Sequence, residues 1–354
     1  MWKNGKISEA VLNRSVLRPL AMAGVLSGMG GAFGEDCAFS EQQNTGEERK
    51  SPNRIVSATV CGTVGGTFDC TMEMLILGAD NNLAASGAEM GWIMLDILIP
   101  ETWEEQTLKT LMQEISKSCS AYQIAVGGGH TEISEAVSRP VVSVTGFGTA
   151  CEGPYLRTEY LKPNQDLVMS GWIGLAGTAI LARNMERELA KRYPPVLIDA
   201  AKEFEAALSV REAARTGHIF GACAMHDVSQ GGIFGALWEM AERAGVGLNV
   251  ELKKIPVRQE TIEICNYFDI NPYQMYGQGA LLFGIDRGEA LVTELRSKGI
   301  PAAVIGRTTR GNDRVIRNGS EIRFLDRPAQ DALWALKKGK GDSAGYEGTD
   351  FNLS

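Results

Sequence analysis

The sequence predicts an α/β protein of two domains, and three observations carry that prediction. Apolar strand patterns alternate with amphipathic helix patterns along most of the 354 residues. One arrangement occurs twice, an apolar strand running into a glycine-rich turn, at residues 126–132 and again at 225–232. The content of 44% apolar and 22% charged residues is that of a chain that packs a core, and the length suffices for two domains of ordinary size.

In chain order, residues 1–20 read as a leading segment with a short helix over 8–17. The glycine-rich stretch from Gly24 to Gly34 closes on Gly34-Glu35-Asp36-Cys37-Ala38-Phe39. There the backbone can bend toward a ligand, and Glu35 and Asp36 offer hard oxygens to a divalent cation. Residues 40–53 read as an exposed loop. A strand over 55–60 precedes a helix of small residues from Met72 through Ala79 into Asp80-Asn81-Asn82-Leu83-Ala84. A strand over 92–99 stops at Pro100, and Thr102 is the expected cap of a long helix. That helix has Glu104 and Glu105 in its first turn and Leu108, Leu111, Met112 and Ile115 at core spacing. A strand over 123–126 then opens onto Gly127-Gly128-Gly129-His130-Thr131-Glu132, and a strand over 141–148 completes a first domain set at residues 1–151.

The second domain, set at 152–325, starts near Glu152-Gly153-Pro154 with a strand over 166–170 and a helix from Gly174 that stops by Pro194-Pro195. A helix over 199–216 is ended by Gly217, and a strand over 219–225 feeds the second glycine-rich turn. Strands over 247–251, 280–285, 302–306 and 314–317 follow, interleaved with helices over 259–268 and 289–298. Residues 326–354 are set apart as a polar tail, whose part from Lys337 on is expected to order only against a partner.

Composition narrows the function classes. Lys and Arg total 35 against 43 Asp and Glu, a formal charge of -8 with no long basic run. This argues against a dedicated nucleic-acid or membrane-surface protein and leaves room for a local phosphate pocket. Seven cysteines (Cys37, Cys61, Cys70, Cys119, Cys151, Cys223, Cys265) form no Cys-x-x-Cys pair, as in a reducing compartment. Residues 20–33 are apolar but too short and glycine-broken to span a bilayer, so a cytoplasmic location is expected.

The strongest motif is His226-Asp227-Val228-Ser229-Gln230-Gly231-Gly232, leading into a helix with Leu237, Trp238, Met240 and Ala241 on its core face. Such a turn leaves N–H groups open beside the positive end of a helix, which suits a phosphate or an Asp-bound metal. A plain capped helix is the competing reading, and the two glycine-acid clusters upstream decide against it.

The order of motifs resembles the aminoimidazole-ribonucleotide synthetase (PurM-like) superfamily of ATP-binding proteins, from about Gly34 to Arg307. Gly34-Glu35-Asp36-Cys37-Ala38 is similar to the family's Gly-Asp-Asp-Ala-Ala, and Asn81-Asn82-Leu83-Ala84 to Asn-Asp-Leu-Ala. Gly128-Gly129-His130-Thr131-Glu132 resembles a variant of its third motif. The turn at 226–232 resembles His-Asp-Pro-Thr-Glu-Gly-Gly, and Gly277-Gln278-Gly279-Ala280-Leu281-Leu282 resembles Ser/Glu-Gly-Ala-Leu-Leu. The pattern is most similar to the hydrogenase-maturation (HypE-like) branch. The resemblance implies an N-terminal domain that dimerises through its sheet, a second α/β domain, and ATP with Mg²⁺ in clefts where the acidic motifs meet.

Carried over residue by residue, the resemblance makes Asp36 and Asp227 the metal ligands. Gly128, Gly129, His130, Thr131, Ser229, Gly231, Gly232 and Asn82 become the nucleotide contacts, with His130 and Glu132 as catalytic candidates. His130 reads equally as a spacer fixing the glycine turn, His226 as a structural donor, Cys37 as a small packed residue, and Trp238 and Trp334 as core aromatics. Departures from the family pattern matter too: Thr59, Asn82, Ala176 and Gln230 stand where relatives carry acids, which predicts weakened Mg²⁺ binding or an altered nucleotide. The last residues are Asn-Leu-Ser where the maturation dehydratase presents a cysteine, so that dehydration is not expected in its usual form. The expected function is ATP- and Mg²⁺-dependent phosphoryl transfer that activates a substrate oxygen, in a homodimer acting on a small molecule or a maturation partner. A degenerate dimer that binds nucleotide or a phosphorylated ligand without turnover, acting as a sensor or a maturation scaffold, is the alternative.

Overall fold

A computed structural model describes residues 6–24, 32–41, 54–150, 156–328 and 330–339. Most of the loop over 40–53, the junction near Glu152-Gly153-Pro154, Cys151, the middle of the Gly24 to Gly34 stretch and the tail after residue 339 lie outside the described residues.

Among the described residues, a five-stranded sheet is built from β1 (Ala38–Glu41), β2 (Arg54–Thr63), β3 (Ala88–Ile99), β4 (Ala125–Ile133) and β5 (Val141–Ala150), in the order β1-β2-β5-β3-β4. Alternation sends Val56 and Ala58 of β2, Ile93, Leu95 and Ile97 of β3, and Val142 and Val144 of β5 inward. They meet α3 (Met72–Ala85) and α4 (Glu105–Ala121), which follow the leading helical turns α1 (Glu9–Leu12) and α2 (Arg18–Met22). Among the described residues the opposite face carries no helix: Thr59 pairs with Thr145 there, and Trp92 stacks on Phe147 at 4.2 Å.

The second sheet joins β6 (Asp166–Ser170), β7 (Ala224–Asp227), β8 (Gly247–Glu251), β9 (Leu281–Ile285), β10 (Ala302–Thr309), β11 (Arg314–Asn318) and β12 (Glu321–Phe324), in the order β12-β11-β8-β10-β6-β9-β7. Around it lie α5 (Leu175–Asn184), α6 (Glu186–Leu189), α7 (Pro195–Lys202), α8 (Arg211–Ile219), α9 (Gly232–Ala244), α10 (Gln259–Phe268), α11 (Gly288–Ser297) and α12 (Ala332–Gly339). The architecture is thus α/β with two sheets, as the resemblance implies. No helix among the described residues is long and apolar enough to cross a membrane.

Several elements depart from the sequence reading for identifiable reasons. The Gly127 to Glu132 stretch is not a turn: β4 continues through it, paired in parallel with β3 from Trp92 to Ile99. Its glycines permit that pairing, since Gly128 and Gly129 have φ of +151° and +150° and a Cβ on Gly129 would meet the Leu95 carbonyl oxygen at 1.8 Å. The cap of α4 is Glu104 rather than Thr102, and Met112 stays exposed on a helix whose buried face is Leu111 and Ile115. The leading helix runs on to Met22 through a π-type turn over Asn13–Leu17, which admits Pro19 with no N–H to give.

The helix expected over 199–216 is broken into α7, a 3₁₀ turn over Glu203–Ala207 and α8. Asn81 holds the break: its Nδ2 donates to the Leu208 carbonyl at 2.8 Å and its Oδ1 accepts from the Val210 N–H at 3.0 Å. Gly217 lies inside α8, pressed on Phe283, and β7 therefore starts only at Ala224. Residues 331–336, grouped above with the tail, are packed: Leu333 is buried and Trp334 lies 5.8 Å from the Tyr276 ring.

Asn81 is fully buried, so Asn81→Ala leaves a carbonyl and an amide without partners and is expected to lower the unfolding free energy by about 2–4 kcal/mol. Asn82 contributes a backbone carbonyl, which accepts from Cys37, and Asn82→Ala is expected to change stability by less than about 1 kcal/mol. Urea titration of both variants checks the contrast.

Candidate functional site

The turn between β7 and α9 is shaped by Gly231 and Gly232, at φ of +84° and +62°. A Cβ at Gly232 would meet the Tyr273 carbonyl oxygen at 2.6 Å, so only glycine lets the turn close there. The Gly34-Glu35-Asp36 segment is laid against α9 by the same device. Gly34 has φ of +79°, and a Cβ on it would lie 2.5 Å from the Glu239 carbonyl oxygen. Glu35 then turns inward, accepting from Arg243 Nε at 2.6 Å and from the Thr158 N–H at 3.3 Å. Glu35 is therefore a clamp between the first segment and α9, not the cation ligand that its sequence position suggested.

Asp36 turns the other way, into the acidic centre. Its Oδ2 accepts the Asp227 backbone N–H at 3.1 Å and lies 3.0 Å from His226 Nδ1. His226 Nε2 is 3.2 Å from Glu239 Oε2, and Lys6 Nζ donates to Glu239 Oε1 at 3.2 Å. The result is an alternating chain of charges, Lys6, Glu239, His226 and Asp36, with the Asp227 carboxylate behind it. Burial alone would lower the His226 pKa, but Asp36 and Glu239 on either side raise it to about 10. Glu239 is held down to about 2: burial opposes its charge, and the Lys6 and His226 cations prevail.

Asp227 differs from the others. It is 3% exposed, and neither carboxylate oxygen has a hydrogen-bond partner among the described residues. Burial, and then the Asp36 charge, push its pKa up to about 7. A buried carboxylate with both oxygens open beside a second carboxylate is the hard-oxygen donor set that suits Mg²⁺. No group of three or more His, Cys, Asp or Glu among the described residues is arranged to hold a metal alone, so phosphate oxygens and water would complete the shell.

A cavity of about 860 Å³ opens onto this centre, lined by Lys6, Asp36, His226, Gly231, Glu239 and Asp331 among others. Sequence reasoning missed three of these: Lys6, Glu239 and Asp331. Glu239 carried a readable signal, a carboxylate inside an otherwise apolar helical run. Asp331 carried none, because its role depends on a fold-back of the chain. Its carboxylate accepts the Gly231 N–H at 2.7 Å, the Tyr276 N–H at 3.1 Å and the Leu333 N–H at 2.9 Å. The Gly232 N–H goes to the Ser229 carbonyl. Both amides of the glycine pair, expected to face a phosphate, are thus satisfied within the chain.

Other expected residues lie elsewhere. Gly128, Gly129, His130, Thr131 and Glu132 are exposed on the edge strand β4 and do not line the cavity, and His130 Nε2 is 3.0 Å from Glu132 Oε2. Gln230 lines the cavity, while Asn82 is half-buried in α3, Thr59 is exposed on the bare sheet face and Ala176 is fully buried in α5. Burial raises the Cys37 thiol well above its ordinary value, which fits a packed residue and not a nucleophile.

The pH dependence of stability follows from His226. Its folded-state pKa of about 10 exceeds the ordinary 6.5, so its contribution is full below pH 6.5 and is lost as pH rises toward 10. Urea stability of the native chain is expected to fall between pH 6.5 and 8.5, by at most about 1.4 kcal/mol per pH unit from His226. His226→Gln should flatten that slope, and an equal slope in both proteins would contradict the assignment.

The model of the AIR synthase related protein N-terminal domain matches residues 73–150, and that of the C-terminal domain matches residues 162–318. The chain is 25% identical over 270 residues to a putative hydrogenase expression/formation protein of Methanocaldococcus jannaschii, covering 74% of this chain and 77% of that one. Among solved structures, a HypE–HypF complex gives a TM-score of 0.71 at 20% identity, covering 89% of this chain and 100% of the matched chain. The hydrogenase maturation protein HypE in complex with ATP gives 0.67 at 18% identity, covering 94% and 97%. At such identities the structures bear on the fold. The two domain models take in most of both sheets and the turn that carries Asp227, and the chain belongs to the AIR synthase related protein family.

Proposed function

We propose that this protein binds ATP with Mg²⁺ and activates a substrate oxygen by phosphoryl transfer, in the manner of a hydrogenase-maturation protein. The observation that carries the reading is the buried Asp227 carboxylate with both oxygens unpartnered, next to Asp36, which lines a cavity of about 860 Å³. Asp36 and Asp227 would hold Mg²⁺, which would neutralise phosphate charge and draw electrons from the bond that breaks. His226 fixes the Asp36 carboxylate from one side and is itself fixed by Glu239, so the ligand oxygens are held before any ligand arrives.

Gly128, Gly129, His130, Thr131 and Glu132 enter this reading through a second copy of the chain. The face of the first sheet that carries Trp92 and Thr59 leaves both exposed, and a homodimer formed on it would bring β4 of one protomer toward its partner. A maturation partner is proposed on the likeness to the complexed HypE. The unpaired cysteines among the described residues support a cytoplasmic location.

A second reading, nucleotide binding without turnover, draws on a specific observation. The Gly231 amide is already bonded to Asp331, and Thr59, Asn82, Ala176 and Gln230 stand in place of acids. Calorimetric titration with ATP, with and without Mg²⁺, followed by assay of ADP and AMP, separates the two. Mg²⁺-dependent binding with ADP release is the expected result, while binding without product would favour the second reading. Asp227→Asn is expected to weaken Mg²⁺-dependent binding at least about 10-fold. A cation needs the ionised carboxylate, so affinity for Mg²⁺ should rise with pH through 7 in the native chain and not in the variant. No binding under any condition would refute the ATP assignment.

A further inference from the structure

The contact between Lys6 and Glu239 has a place in this site that its neighbours explain. Residues 6–12 form one wall of the cavity that Asp36, His226 and Glu239 form on the other side. The helical turns over Glu9–Leu12, Asn13–Leu17 and Arg18–Met22 bury no residue, and Val16, Leu20 and Met22 stay exposed. Two polar contacts therefore fasten this strap to α9: Lys6 Nζ on Glu239, at 3.2 and 3.4 Å to its two oxygens, and Trp238 Nε1 donating to Glu9 Oε2 at 3.3 Å. The Lys6 side chain remains 54% exposed, so the latch is reachable from solvent. Its ammonium also feels the Asp36 and Asp227 carboxylates, and it is the cation that the acidic centre attracts from this wall.

We propose that residues 6–22 are a displaceable strap over the cavity, with Lys6 as an internal cation that a divalent ion bound at Asp36 and Asp227 replaces. The inference rests on the cation reading of those two carboxylates. Two positive charges set into the cluster neutralise the field that holds Lys6 and repel its ammonium directly. Strap release is thereby linked to loading of the site, and by reciprocity the strap weakens cation binding. Little apolar burial opposes the release, because the strap contributes no side chain to the core.

The test uses the full chain and the ions Mn²⁺ and Mg²⁺ alone, with ionic strength matched by NaCl. Hydrogen exchange is followed over residues 6–22, and Mn²⁺ affinity is measured by electron paramagnetic resonance. Adding Mn²⁺ should speed exchange of the strap amides at least about 5-fold. Lys6→Met should exchange fast without ion and bind Mn²⁺ about 3-fold or more tighter, while Lys6→Arg should behave as the native chain. Mn²⁺ bound in an Asp227-dependent way with strap exchange unchanged would overturn the strap alone. Weaker Mn²⁺ binding in Lys6→Met would overturn it as well. Absence of Mn²⁺ and Mg²⁺ binding would overturn both this inference and the cation reading on which it rests.

Discussion

The structure around the cavity depends on burying ionised groups in alternating sign. An isolated carboxylate or imidazolium taken out of water is penalised by several kcal/mol, and a pair compensates only where geometry and further contacts are good. Here Glu239 lies between two cations, Lys6 and His226, while His226 lies between two carboxylates, Glu239 and Asp36. Each of these two inner members has opposite charge on both sides. The chain of contacts also joins three separate parts of the sequence, near residues 6, 36 and 226–239, so electrostatics does structural work that apolar packing alone would leave unspecified in register. Asp227 stands at the end, and neither of its carboxylate oxygens has a hydrogen-bond partner among the described residues.

A second constraint is the contact between the two sheets. Asn81 bridges Leu208 and Val210, Asp80 meets Arg211 Nε at 2.6 Å, and Gln278 Nε2 donates to the Met74 carbonyl at 2.8 Å. Each bond ties α3 to the second half of the chain. Both asparagine and glutamine belong to stretches that resemble family motifs, yet their side chains here secure the position of one half against the other. A motif can thus persist for the geometry it imposes on a site as well as for contact with a ligand.

Much of this was legible in the sequence. The strands over 166–170 and 247–251 and the helix over 259–268 match β6, β8 and α10 to the residue, because each has clear periodicity and is bounded by turn residues. The meeting of Asp36 with Asp227 was legible only through the resemblance, since 191 positions separate them. Where the reading failed, tertiary contacts had overridden local pattern. The glycines at 127–129 look like a turn, yet they serve the close approach of β4 to β3, and the break between α7 and α8 is imposed by Asn81 from another part of the chain. Lys6 and Asp331 were not legible as site residues, because a lone lysine or aspartate near a chain end has no pattern of its own.

The apolar interior has a consequence for how separable the two halves are. One continuous cluster runs from Val56, Ile93 and Val144 of the first sheet through α3 to Ile180 of α5, Ile264 of α10 and Leu333 of α12. The second half also has a cluster of its own, with Leu167, Leu237 and Leu282, yet a fragment without the first sheet would bare the faces of α5 and α10 that enter the shared cluster. Cutting the chain between the halves would thus expose apolar surface to water, whatever the site itself required.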